Sequence, residues 1–208
     1  FDELKAIGDR AKGKIVLFNK PIYANGGADR GYGSAVGLRY SGAAAAAKAG
    51  AVGMMIRSLA TADLRIPHTG AMAYEDGVPH IPAAAIAPED AELIHRFLDA
   101  GETVKVTFTL SCKTLPDAES ANVIGEIRGS EAPDEIVVIG GHLDSWDVGT
   151  GAHDDGAGCA ISMEALRLIR SLGLKPKRTI RAVLFTNEEN GLRGGKACGS
   201  PLLSRWIP

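Results

Sequence analysis

Ile139-Gly-Gly-His142-Leu-Asp144-Ser-Trp-Asp-Val-Gly-Thr-Gly-Ala-His-Asp154-Asp155-Gly156 decides how this chain reads. It grows out of Glu135-Ile-Val-Val-Ile-Gly-Gly141, a β-branched run bounded by charge and glycine, the pattern of a strand buried on both faces. Beyond it, Gly156 to Leu172 carries Ile161, Ala165, Leu168, Ile169 and Leu172 at helical spacing. Gly173 follows as a stop, with Pro176 shortly after. Thr179-Ile-Arg-Ala-Val-Leu-Phe-Thr186 then supplies a second strand-like run. Strand, helix, strand predicts a parallel pair with a right-handed crossover. Both strands then end at one carboxyl edge, where open α/β sheets bind their ligands. His142 and the Glu188-Glu189 pair reach that edge, and the crossover helix opens there with Asp154 and Asp155.

These residue types suit metal-assisted hydrolysis. Imidazole and carboxylate are the usual non-thiolate zinc ligands, and a catalytic zinc keeps one position open. A carboxylate can bridge two metals a few ångströms apart, and Asp154 is the choice for that bridge. Asp144, two residues past His142, suits a supporting role that orients the ring and raises its basicity. Glu188 and Glu189 can divide the work, one on metal and one as base. Neighbours on an extended segment point oppositely, so a turn at the strand end must bring both carboxylates in.

At these residues the chain resembles the cocatalytic-zinc aminopeptidases and glutamate carboxypeptidases, and within them the plasma glutamate carboxypeptidase branch with its bacterial relatives. Gly-His-Leu-Asp-Ser-Trp-Asp-Val-Gly is a specific signature, and the resemblance runs to about Gly195. It implies that His142 binds one zinc, Asp154 bridges two, Glu189 binds the second, and Glu188 is the general base. Asp144 would support His142, and Asp155 would follow the bridge as a structural neighbour. It also implies a further acid and a histidine downstream of the glutamate pair. Only nineteen residues follow Glu189, without His, Asp or Glu, and from about Cys198 they depart from the expected helix. Phe1-Asp2-Glu3 opens without an initiator methionine or signal-like run. The chain therefore reads as an internal fragment, inactive alone. The implied parent uses two zinc ions per active site, cuts short peptides with a free amino terminus, is secreted, periplasmic or lysosomal, and can be a homodimer.

The first half tells a different story. Strands are predicted at 12–18, 50–56 and 81–86, and helices at 34–49 and 88–100. A half-exposed strand over 102–111 places Val104, Val106, Phe108 and Leu110 on one face. Gly-Lys-Ile-Val, Ala-Gly-Ala-Val-Gly and Ile-Pro-Ala in that order resemble the protease-associated domain, an α/β insertion in such peptidases. The expected architecture is thus α/β: a partial three-layer α/β/α zinc-peptidase sheet over 116–208 and a protease-associated domain over 1–115. The boundary falls where the apolar pattern breaks, from Cys112 to Ser120.

A hydrophobic content of 45% and a net charge of −2 fit a globular chain, with no basic stripe for nucleic acid and no membrane-spanning run. Cys112, Cys159 and Cys198 have neither metal spacing nor an even disulfide count and read as free thiols. Asp155 can equally serve as a helix cap, while Asp147, His153, His68, His80 and His95 read as loop or surface groups. Ser145 lacks the strand-turn-helix setting of a nucleophilic serine. The competing functional reading is a non-catalytic, receptor-like or protease-associated interaction module on the same scaffold.

Overall fold

A computed structural model describes residues 1–61, 64–68 and 70–199; Thr69 and the tail beyond Gly199 on which the sequence reading touched lie outside them. The chain divides into two compact units, Phe1–Thr114 and Leu115–Pro208.

In the first unit, α1 (Asp2–Ile7) leads into β1 (Ile15–Phe18), and the short α2 (Gly27–Arg30) precedes α3 (Val36–Lys48). β2 (Gly53–Arg57), β3 (Ala83–Ile86) and α4 (Pro88–Asp99) complete it. The strands form one parallel sheet in the order β1-β2-β3. The alanine run of α3 explains its seat: Ala43, Ala44 and Ala46 are fully buried, and such small side chains let a helix lie close on a sheet. Met54, Ile56, Ile22, Leu59 and Ile81 fill the core beneath it. Pro88 opens α4 at its first turn, where a missing N–H costs nothing.

One expectation fails here. Residues 102–111 form no strand among the described residues. Val104, Val106 and Phe108 are half-buried between exposed neighbours, so the alternation does mark a packed face. A packed face specifies burial, whereas a strand also needs a ladder partner, which the alternation cannot supply.

The second unit contains β4 (Val123–Ile127), β5 (Ala132–His142), α5 (Ala157–Ser171), β6 (Arg178–Phe185) and α6 (Arg193–Cys198). The sheet order is β4-β6-β5, with β5 parallel and β4 antiparallel to β6. α5 is the predicted crossover, and Gly173 ends it at φ 66°. β4 escaped the sequence reading because Val123-Ile-Gly-Glu-Ile127 is short and interrupted by glycine. β5 departs from expectation too: Ile136, Val137 and Val138 are 43–55% exposed rather than buried on both faces. The apolar run reflects two faces to be covered, yet β5 has only β6 beside it among the described residues. Of the expected three layers, the described residues show the sheet and one long helix, α5, beside it. No helix of the described residues is long and apolar enough to cross a membrane.

β5 and α5 meet at glycine. A β-carbon on Gly141 would lie 2.6 Å from the Cys159 amide nitrogen and 2.7 Å from an Asp155 carboxylate oxygen. Backbone cannot yield there as a flexible side chain can, so Gly141→Ala is expected to destabilise the unit by about 1–3 kcal/mol or more. Thermal unfolding of the two proteins checks this; an unchanged midpoint would show that α5 is not seated against β5 as described.

Candidate metal centre

β5 delivers His142 at its last position, in register with Phe185 at the end of β6. The chain then loops through Asp144 and Trp146 to a single wide turn at Ala152–Gly156, where Asp154 and Asp155 adopt non-helical angles and their shared peptide is cis. β6 ends at Phe185, and Asn187 takes a left-handed conformation (φ 52°) immediately before Glu188. That residue is the anticipated turn: it stops the extended alternation and lets both glutamates face the same place.

His142 is only 8% exposed. Its Nδ1 lies 2.8 Å from the main-chain oxygen of Asp144 and its Nε2 3.0 Å from Asp154 Oδ1, with Glu188 Oε2 at 3.7 Å from Nε2. Burial disfavours the imidazolium. The hydrogen bonds to the Asp144 carbonyl and the Asp154 carboxylate outweigh it, with the Glu188 and Asp144 charges adding to them, and His142 is held above its ordinary pKa. His142 Nε2, Asp154 and Glu189 bring ligand atoms within 4.8 Å of one another, the one such group of three among the described residues. Burial and the nearby Asp154 charge raise the Glu189 pKa, against a hydrogen bond from Trp146. One imidazole and two carboxylates are the non-thiolate donors that zinc takes. The Asp154 side chain is 77% exposed, so its carboxylate also has room beyond His142.

Asp144 acts differently from the simplest expectation. Its main-chain carbonyl holds the His142 ring, while its carboxylate oxygen stands 3.7 Å from Nδ1. The carboxylate instead accepts the amide protons of Glu188 and Glu189, at 2.9 and 3.0 Å. Burial raises the Asp144 pKa, but these amides, its own N–H and the His142 charge lower it below the ordinary 3.8. A depressed carboxylate adds stability above its unfolded pKa and loses it as pH falls through the folded one. The stability gap between this chain and Asp144→Asn should therefore narrow below about pH 4. Denaturant unfolding at several pH values measures it; a pH-independent gap would remove Asp144 as the clamp.

Asp155 takes the helix-cap role that the sequence offered it, whereas Asn122 and Trp146 were given no role there. Asp155 accepts from both the His142 N–H (3.1 Å) and the Gly158 N–H of the first turn of α5 (2.9 Å), so it caps the helix and holds β5 at once. Asn122 takes the Thr186 N–H and donates to the Gly194 carbonyl, pinning both ends of the loop that carries Glu188. Trp146 stood inside the motif but without an assigned task. Its only sequence signal was its place between Asp144 and Asp154, and for Asn122 there was none. His153 and Asp147 are exposed.

Residues 122–205 match the profile described as peptidase family M28, so this segment is similar to that family. Over 191 residues it is 50% identical to carboxypeptidase Q of Bos taurus and 49% identical to that of Homo sapiens, in each case 92% of this chain and 39% of the relative. A peptidase M28 precursor from Shewanella amazonensis has a similar structure (TM-score 0.86, 46% identity), covered to 95% of this chain and 45% of that one. A zinc aminopeptidase from Bacillus subtilis is more distant (TM-score 0.58, 26% identity; 94% and 41%). The chain spans about two fifths of the length of the curated relatives it matches.

Proposed function

We propose that this chain supplies part of the active site of a zinc-dependent exopeptidase that hydrolyses short peptides with a free amino terminus. The convergence of His142, Asp154 and Glu189 within 4.8 Å carries the reading. His142 and Glu189 would each hold a zinc, and Asp154, with its side chain 77% exposed, would be the carboxylate shared between them. Zinc in such a site acts as a Lewis acid on the scissile carbonyl and makes water more acidic. Glu188, beside His142 and tied at its amide to Asp144, takes the proton from the attacking water and returns it to the leaving amine. Asp144 fixes the loop so that the carboxylates of Glu188 and Glu189 stay distinct in task. Residues 1–115 form a protease-associated domain in this reading; the order β1, α3, β2, β3, α4 agrees with it. A secreted, periplasmic or lysosomal-type location goes with it, and the Shewanella relative is described as a precursor.

Calorimetric titration of the metal-stripped parent enzyme with zinc chloride tests the reading. Two zinc ions per chain and restored dipeptide hydrolysis are expected, both lost in Asp154→Ala; no zinc binding by the parent would sink the proposal. The 208 residues alone are expected to bind zinc weakly, below one ion per chain, and to turn over no dipeptide. Measurable turnover by them would overturn that part.

A further inference from the structure

Neither main-chain polar group of His142 pairs with the sheet. The contact at this level of the ladder is made by Leu143, whose N–H donates to the Phe185 carbonyl at 2.7 Å. The His142 N–H and C=O point to the other side of β5, where no strand lies among the described residues. His142 is nonetheless buried, and buried backbone groups need partners. The turn before α5 and the first turn of α5 supply one partner each: Asp155 accepts the N–H, and the Cys159 thiol donates to the carbonyl at 3.1 Å.

We infer that Cys159 is a positioning residue for the metal site, its S–H holding the His142 carbonyl and so fixing where the imidazole stands. The inference rests on the metal-site reading of His142 but depends on different atoms. Cys159 is 6% exposed, which shields it from oxidants and from solvent that would compete for the carbonyl. A buried cysteine serving only as a small apolar filler would need no acceptor in reach. Here the acceptor belongs to the ligand residue itself, and the ring is held on its far side by Asp144. The imidazole is therefore braced from its own backbone and from its Nδ1, with Nε2 directed at Asp154.

The test uses this chain and four variants of it, with zinc chloride as the probe. Cys112→Ala with Cys198→Ala leaves Cys159 as the sole thiol; its S–H stretch should be shifted to lower frequency than a free thiol's and exchange slowly in D2O. That measurement needs no change at residue 159, so it stands even if a variant there fails to fold. Cys159→Ala should move the His142 carbonyl carbon resonance and weaken zinc binding, followed at the His142 ring nitrogens, by about tenfold. Cys159→Ser, whose hydroxyl can still donate, should restore both to near the parent values. Ser162→Ala removes another buried polar group of α5 and should leave both readouts alone. An unshifted S–H band, an unmoved carbonyl resonance in Cys159→Ala, or equal losses in Ser162→Ala would each overturn the inference. Were no form to bind zinc, the metal reading would fall while the carbonyl resonance and S–H band still decided the role of Cys159.

Discussion

Glu188→Gln in the whole enzyme is expected to lower kcat by about 10²–10⁴-fold, the usual contribution of a general base, while zinc content stays at the parent level. The substitution keeps the size of the side chain and removes only its capacity to take a proton. Its main chain remains anchored, because the Glu188 amide donates to Asp144 at 2.9 Å whatever the side chain is. The glutamine therefore occupies the same place beside His142, where Glu188 Oε2 stands 3.7 Å from Nε2. Steady-state kinetics on a dipeptide, with zinc measured by atomic absorption on the same samples, separates chemistry from metal loss. A kcat within threefold of the parent would transfer the base role elsewhere, and Glu189 would be the next residue to examine.

His142→Ala should cost more zinc affinity than the roughly 10–100-fold typical of losing a residue behind a ligand, because it deletes the only imidazole of the cluster. Two carboxylates then remain, and both harder donors and lost geometry favour weaker binding. The change also opens a gap at a position only 8% exposed, and it leaves Asp154 without its 3.0 Å partner. Calorimetry with zinc chloride, on protein whose unfolding midpoint has been measured, distinguishes loss of a ligand from loss of fold. Zinc affinity unchanged in a folded His142→Ala protein would remove His142 from the site.

The strand-helix-strand unit around the motif was legible because its signals are local. β-branched runs, helical spacing and a glycine stop need no long-range information, and Gly173 takes the left-handed angle that stop demands. Direction followed as well, since a helical crossover makes β5 and β6 parallel and sends His142 and the glutamates to one edge. The alternation over 102–111 misled because burial period and ladder pairing are separate properties. The apolar run of β5 misled in the same way, since it records the cover a strand calls for rather than the cover it has in these residues.

The sequence by itself thus determined which side chains gather: His142, Asp154, Glu188 and Glu189 are placed by element order and strand direction alone. Tertiary structure decided how they are held. Whether the Asp144 carboxylate faces the His142 ring or the amides of Glu188 and Glu189 depends on the left-handed turn at Asn187, and no pattern of residue types fixes that angle. Likewise Asp155, Cys159 and Asn122 act on backbone atoms up to 72 residues away, through hydrogen bonds that carry no side-chain signature at the partner position. Contacts to main chain are invisible to a reading of side chains, and in this site they supply most of the order.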